Sequence, residues 1–233
     1  MTLRRGETLL LTVGIPVAFL VFFTSVHVVT TGSEARVTFI LPGILSLAVM
    51  STAMVSLGIA TGFERGYGVL KRLGATPLGR PRLLGAKTAT ILIVEIVQAA
   101  ILIPVGVWLG WRPPGNASPA LAAFEALVLV LLATVAFAGI GLAMAGRLRA
   151  EVNLAAGNGL YLIFLLLGGM IVPLASLPRG LATLARLLPP AALSQGLRAV
   201  LGTGSAVPVW CWVVLTVWAV VTPAVAAVTF RWE

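Results

Sequence analysis

The sequence contains few of the side chains that soluble enzymes use for chemistry. Its 233 residues include one cysteine, Cys211, and one histidine, His27, and only 10% of the residues are charged. A single cysteine cannot form an intrachain disulfide, and one cysteine with one histidine cannot make up a metal or catalytic cluster. Soluble domains have about 25% charged residues. The composition therefore predicts no catalytic residue and no metal site, and it argues against a water-soluble fold.

Long apolar runs dominate the chain instead. Hydrophobic residues make up 59% of the sequence, and its mean hydropathy is +1.07. A helix of about 20 apolar residues crosses a hydrocarbon core about 30 Å thick, and it satisfies its own backbone hydrogen bonds in lipid. We therefore predict an all-α integral membrane protein with one domain over residues 1–233. The six predicted spans are Leu9 to Val28, Phe39 to Gly62, Thr88 to Gly110, Pro119 to Ala145, Leu154 to Leu174 and Val207 to Phe230.

The positive charge is distributed unequally between the two sides of these spans. The formal net charge is +9, but no long basic run or basic face studded with aromatic residues is present, which argues against binding of nucleic acid. Of the 16 Lys and Arg residues, eleven fall on one predicted side and five on the other. The more basic side of a membrane protein faces the cytoplasm. Both termini are therefore predicted to be cytoplasmic.

The cytoplasmic segment between the second and third spans, residues 63–87, is rich in Arg, Lys and Gly. Thr76 and Pro77 fit a helix start, with Thr76 as the N-cap and Pro77 at the first helical position. We predict a short helix from Pro77 to about Leu84, parallel to the membrane. A basic loop that only sets topology is the simpler interpretation, but it would hardly require the Glu64-Arg65 pair, this cap and the glycines.

The outer segment between the fifth and sixth spans, residues 175–206, is punctuated by prolines. Leucines recur at helical spacing from Leu181 to Leu188, and Arg179 and Arg186 lie off that face. This pattern is typical of a short amphipathic helix at the membrane interface. A second short helix is predicted over residues 191–201, after the break at Pro189-Pro190.

These two segments resemble those of ABC-2 type transporter permeases, the membrane subunits of ATP-driven exporters, including the daunorubicin-resistance-like systems. The cytoplasmic residues that carry the resemblance are Glu64-Arg65, Leu70-Lys71-Arg72-Leu73, Ala75-Thr76-Pro77-Leu78 and Leu83-Leu84-Gly85-Ala86-Lys87. The outer residues are Val172-Pro173-Leu174, Leu177-Pro178, Leu188-Pro189 and Gly196-Leu197-Arg198. The resemblance covers essentially the whole chain as a single ABC-2 type transmembrane domain. It is weakest at the N terminus, where eight residues precede the apolar run and the family has an amphipathic helix.

The resemblance implies a permease subunit of an ABC exporter. The composition, rich in Arg, Ala and Val and poor in Lys, indicates a high-GC bacterium and hence a bacterial plasma (inner) membrane. Such a subunit moves an amphipathic substrate (a drug, a lipid or a glycolipid) out of the cytoplasm. Its implied partners are a nucleotide-binding ATPase subunit, which holds ATP and Mg, and a second copy of the permease or a paralogous one within the membrane lipid. Carried over to this chain, Glu64 and Arg65 would lie at the interface that transmits motion. Thr76, Pro77 and Leu78 would begin the coupling helix that docks on the ATPase.

The chain itself is not expected to hydrolyse ATP or to hold a cofactor. Its nearest approach to a phosphate-binding loop is residues 79–88, where five residues separate Gly79 from Gly85 and Ala86 intrudes before Lys87. That spacing does not fit the P-loop pattern, and the stretch opens a membrane span instead of following a strand. ATP hydrolysis is therefore expected on a separate subunit.

The polar and adaptable residues within the spans leave several interpretations open. Glu95, about two turns into the third span, either pairs with another helix or acts on substrate or protons. In the family, the second and fifth spans of two subunits face the pathway, so candidate pathway residues are Met50, Met54, Asn158, Tyr161 and Phe164. Helix packing explains these five equally well. The rival functions are a proton-coupled secondary transporter, with Glu95 as its titrating group, and a membrane scaffold that transports nothing.

Overall fold

The computed structural model describes residues 6–26, 36–69, 80–115 and 118–229, and over these residues the chain forms helices and no strand. The all-α prediction is confirmed. The helices are α1 (Gly6–Ser25), α2 (Arg36–Gly66), α3 (Arg80–Trp108), α4 (Pro119–Ala145), α5 (Ala150–Leu167), α6 (Arg179–Arg186), α7 (Pro189–Arg198) and α8 (Val209–Thr229).

Five of the described helices are long and apolar enough to cross a membrane, namely α2, α3 from Gly85 onward, α4, α5 and α8. The apolar part of α1 that the structure describes, Thr12–Ser25, is shorter. These six apolar helices follow the order of the six predicted spans. The chain is therefore a multi-pass membrane protein.

The helix that contains the third span is longer than the predicted span, because α3 includes residues from Arg80 and its apolar part begins at Gly85, near the predicted start at Thr88. Pro81 lies in its first turn, where a missing N–H group costs no intrahelical hydrogen bond. Residues 80–84 are thus continuous with α3, and they do not form a short helix separate from the span. The rest of that predicted helix, including Thr76, Pro77 and Leu78, lies outside the described residues.

The fifth span ends earlier than predicted, at Leu167 and not at Leu174. Gly169 has a φ of 64°, in the left-handed region that ends helices and favours glycine. A Cβ atom at Gly169 would also lie 2.8 Å from Cγ of Leu174. The apolar residues from 168 to 174 therefore form a turn and a short 3₁₀ helix, Leu174–Ser176, instead of a further turn of α5.

The core of the bundle is built around α2, which contains a π-helical stretch at Ser51–Ser56. Two glycines let neighbouring backbones come unusually close to it. A Cβ atom on Gly43 would lie 1.9 Å from the carbonyl oxygen of Met170, and one on Gly141 of α4 would lie 2.4 Å from that of Met54. Such close approaches are typical of helix packing in membranes, where dispersion contacts drive association.

The segment between α5 and α8 forms the two predicted short helices, α6 and α7. In α6, Leu184 is exposed and Ala185 is buried, so the leucine face points away from the protein, as expected for a helix at the interface. In contrast, α7 is buried among α2, α4 and α8, and its Leu193 and Leu197 are at most 1% exposed. Sequence patterning had indicated a second interfacial helix here, and the structure instead inserts it between the spans.

Candidate functional site

Two of the five predicted coupling residues, Glu64 and Arg65, lie in the last turns of α2, at the end of the bundle that we call the basic end (residues 64–69, 80–87 and 146–149). Lys87 of α3 donates a hydrogen bond from Nζ to Oε2 of Glu64, and the two side chains form an ion pair. Arg65 donates from Nη2 to the carbonyl oxygen of Leu148, in the turn between α4 and α5. Glu64 and Arg65 thus tie α2 to two neighbouring elements.

A third contact, next to the basic end, joins α2 to α5, and sequence reasoning missed it. Asn153 is 2% exposed, and its Nδ2 donates to the carbonyl oxygen of Gly58 over 2.9 Å. A Cβ atom at Gly62, one turn further along α2, would lie 2.8 Å from the same Nδ2. The available signal was an amide in the first turn of an apolar helix together with two glycines spaced four apart on α2.

These three contacts surround the two points at which the segment of residues 70–79 joins α2 and α3. Charge-assisted hydrogen bonds such as the one from Lys87 to Glu64 hold their partners more strongly than neutral ones. A displacement applied to that segment would therefore reach α2, α3 and α5 together. The arrangement offers a mechanical connection between these three helices.

The predicted pathway residues do not lie on one surface. Met50 and Met54 are at most 1% exposed and are part of the core. Phe164 is also buried, with its ring centroid 6.4 Å from that of Phe137. Tyr161 lines a cavity of about 160 Å³ between α1, α2 and α5, with Ser51 in its wall. A pathway role for these residues stays a prediction.

The remaining pathway candidate, Asn158, lies on a face of α5 that no described residue of the chain covers. Asn158 is exposed, and its Nδ2 donates to the carbonyl oxygen of Leu154 in its own helix over 2.9 Å. Beside it, a Cβ atom on Gly159 would meet nothing within 4 Å, and Leu162 is 56% exposed. This open face is available to lipid or to another helix.

Glu95 is buried in the middle of the bundle and pairs with a neighbouring helix, which was one of its two predicted roles. Its Oε2 accepts a hydrogen bond from Oγ1 of Thr134 in α4 over 2.5 Å, whereas Oε1 has no hydrogen-bond partner. Lys87 lies two turns away along α3 and bonds to Glu64 instead. One turn further along α3, Gln98 donates a hydrogen bond from Nε2 to the carbonyl oxygen of Thr12 in α1 over 2.9 Å.

A search of curated proteins found no match to the chain. The family model described as ABC-2 type transporter matches residues 1–201. The match extends from the N terminus through α7, and so it includes both the basic end and the segment that joins α2 to α3. The chain therefore belongs to the ABC-2 type transporter family, as a transmembrane permease component of an ABC transporter that is not itself catalytic.

Proposed function

We propose that this protein is the membrane-spanning permease subunit of an ATP-driven exporter that moves an amphipathic substrate out of the cytoplasm. A separate nucleotide-binding ATPase, which holds ATP and Mg, supplies the work. The proposal places the protein in a bacterial plasma (inner) membrane, with both termini in the cytoplasm. Membership of the ABC-2 type transporter family supports the assignment as a permease subunit. The contacts at the basic end support mechanical coupling to a separate ATPase.

The contacts of Glu64 and Arg65 are the observation that carries the proposal. A permease that takes work from a motor needs a junction that passes a displacement to its spans and does not absorb it. Glu64 is tied to α3 through Lys87, and Arg65 is tied to the turn before α5. Motor-driven movement of Thr76, Pro77 and Leu78 would then shift the packing of three spans between two arrangements.

A second permease copy, or a paralogous permease, is the proposed membrane partner. The open face of α5, with Asn158 and Gly159, would meet the partner across the pathway. Small residues and amides at such a face allow close helix approach and hydrogen bonds between helices. Amphipathic substrates fit this chain because its described spans offer largely apolar side chains to a pathway.

One observation favours a second candidate, a proton-coupled secondary transporter. Glu95 is a carboxyl group buried at membrane depth with one oxygen unpartnered, and intramembrane carboxyl groups often mark proton routes. The two candidates differ in their energy source. In vesicles, the exporter uses ATP in the presence of its ATPase, and the carrier follows a proton gradient without it.

The decisive experiment starts from native membranes. The tagged chain is purified, its ATPase partner is identified by mass spectrometry, and the complex is reconstituted in vesicles for ATP hydrolysis and dye efflux. We expect an ABC ATPase to co-purify. Replacing Thr76, Pro77 and Leu78 together with glycine should abolish its attachment and the ATP-dependent efflux.

The matched control replaces three residues at the opposite end of the bundle, Ala182, Thr183 and Leu184 of α6, with glycine. This variant should keep the ATPase bound. Attachment and pumping that survive the triple change at residues 76–78, in a correctly inserted protein, would refute the coupling. Efflux that follows a proton gradient and ignores ATP would favour the carrier.

A further inference from the structure

A cavity of about 490 Å³ lies between α3 and α4, closed on its inner side by α2 and α7. Its size falls within the range of small-molecule sites, about 300–1,000 Å³. None of its described walls comes from α1 or α5. The cavity is therefore separate from the open face of α5, and the inference below does not depend on the proposed function.

One carboxyl group marks this otherwise apolar cavity. Glu95 is 4% exposed and lines the cavity wall, and its Oε1 has no hydrogen-bond partner. The other oxygen, Oε2, accepts from the hydroxyl of Thr134. A buried polar atom without a partner is costly, and Oε1 is covered by the protein at the wall of the cavity, where a positive charge in the cavity would offset that cost.

The other walls of the cavity complement a positive charge and not a negative one. No Lys, Arg or His is among the described lining residues. Among the residues of the wall that the structure describes, Gln98 has the only other side chain with a carbonyl or carboxyl oxygen, and its Oε1 and Nε2 already bond to Thr52 and Thr12. Trp111 adds an aromatic ring, which its Nε1 holds in place through a 2.9 Å bond to the carbonyl oxygen of Leu201.

The cavity opens toward the side of the bundle that faces the membrane. Ile96, Leu127 and Leu131 border it, and each is more than a third exposed. Glu95 follows Lys87 by eight residues, so it lies about 12 Å further along the helix axis, away from the basic end. A ligand dissolved in the hydrocarbon layer could therefore reach Glu95 without crossing the core of the protein.

We propose that this cavity is a binding site for lipophilic cations, with Glu95 as the countercharge and Trp111 as an aromatic wall. The ligand class is an apolar molecule that carries a single positive group. Its hydrophobic body fills the apolar part of the cavity, and its positive charge is balanced by the carboxylate that Glu95, in the cavity wall, forms on releasing its proton. An aromatic face attracts a cation that has lost its water.

The test uses two probes of similar shape and opposite charge, tetraphenylphosphonium and tetraphenylborate. The full chain is placed in nanodiscs of zwitterionic lipid, and binding of each radiolabelled ion is measured at equilibrium. We expect saturable binding of the phosphonium at one site per chain and no saturable binding of the borate. Glu95→Gln keeps the shape of the side chain and should weaken phosphonium binding about tenfold or more, because bonds and contacts to a charged group exceed neutral ones.

Two further variants complete the test. Ala126→Phe fills the cavity while Glu95 stays in place, and it should also weaken binding. Glu125→Gln removes a carboxyl group from α4, beside Ala126, at a position that does not line the cavity, and it should leave binding unchanged. Each variant is first checked for a single symmetric peak on size-exclusion chromatography.

Three results would overturn the proposal. The first is phosphonium binding that is retained in either Glu95→Gln or Ala126→Phe. The second is a loss in Glu125→Gln as large as the loss in Glu95→Gln. The third is saturable binding of tetraphenylborate at the same site, which would indicate an apolar crevice that accepts lipid-like molecules of either charge.

Discussion

Two spans of this protein, α2 and α5, have similar apolar character and opposite surroundings. In their most apolar windows, 83% of α2 is buried inside the protein, whereas only 17% of α5 is. Hydropathy alone treats both as membrane helices, because lipid tails and apolar side chains offer similar environments. The difference lies in small residues. Gly43 and Gly58 of α2 meet backbones of other segments, while Gly159 of α5 meets open space.

The comparison separates a fixed part of the protein from an exposed one. Because α2 packs against most other helices, its position defines the bundle. By contrast, α5 is held at its first turn by Asn153, and its outer face remains open. Substitutions at the packed positions of α2 should therefore cost more stability than matched substitutions on the open face of α5.

Among these substitutions, Gly43→Ala should cause the largest loss of stability. Its Cβ atom would lie 1.9 Å from the carbonyl oxygen of Met170, a backbone atom that cannot move without displacing the turn after α5. We expect the free energy of unfolding to fall by about 2–3 kcal/mol, as for other overpacked cores. Thermal unfolding in detergent, followed by fluorescence-detected size exclusion, measures it.

The matched control for Gly43→Ala is Gly159→Ala, which adds the same atom to α5. This change should be neutral, or it should stabilise the protein by up to about 1 kcal/mol, because glycine weakens a helix interior. A similar loss in both variants would mean that α2 and α5 are equally packed.

The next largest difference in stability is expected between substitutions of the two asparagines of α5. Asn153→Ala removes the buried bond to Gly58 and leaves that carbonyl oxygen without its amide partner, so we expect a loss of about 1–2 kcal/mol. Asn158→Ala removes only a bond within its own exposed turn and should cost less than about 0.5 kcal/mol. The same unfolding assay compares them. Equal losses would show that the open face of α5 is packed in the solubilised protein.

Charge reversal at the basic end should have a smaller effect on stability. Glu64→Lys and Lys87→Glu each place like charges together, and each should lower the free energy of unfolding by about 1 kcal/mol or less, because both side chains are partly exposed to solvent. The double variant restores an opposite pair and should recover most of the loss. Additive losses in the double variant would contradict a direct contact between the two residues.

The smallest effect on stability, and the clearest effect on assembly, is expected for cysteine at Leu162. In a Cys211→Ala background, Leu162→Cys on the open face of α5 should crosslink two copies in native membranes on mild oxidation. Val213→Cys on α8 is the control, since Val213 is 55% exposed and Leu162 is 56% exposed. Crosslinking at 213 and not at 162 would contradict pairing of two copies through α5.

Much of the architecture could be predicted from the sequence, because membrane insertion depends on local composition. Six apolar runs, the amphipathic leucine pattern of α6 and the helix after Pro189 all correspond to helices of the structure. The boundaries were less predictable. Thr88 looked like the start of a span because charged residues precede it, but Pro81 allows the helix to begin at Arg80.

The candidate site was predictable only in part, for a physical reason. Glu64 and Arg65 stood out as a charged pair at a span end, yet their partners, Lys87 and the carbonyl of Leu148, are distant in sequence. Asn153 was missed because one amide at the start of an apolar helix is ordinary until a glycine carbonyl of another helix lies beside it. Long-range pairing is a property of the packed bundle.

The sequence by itself determined that the protein inserts in a membrane as helices, and its loop motifs were enough to indicate the family. Both depend on properties that each segment carries alone, namely apolar length and the residues of a short motif. Only the tertiary structure decided which apolar face is buried, which oxygen of Glu95 lacks a partner, and that α7 lies among the spans. In a membrane, lipid and protein interiors are alike to an apolar side chain, so close backbone approach and polar pairing select the neighbours.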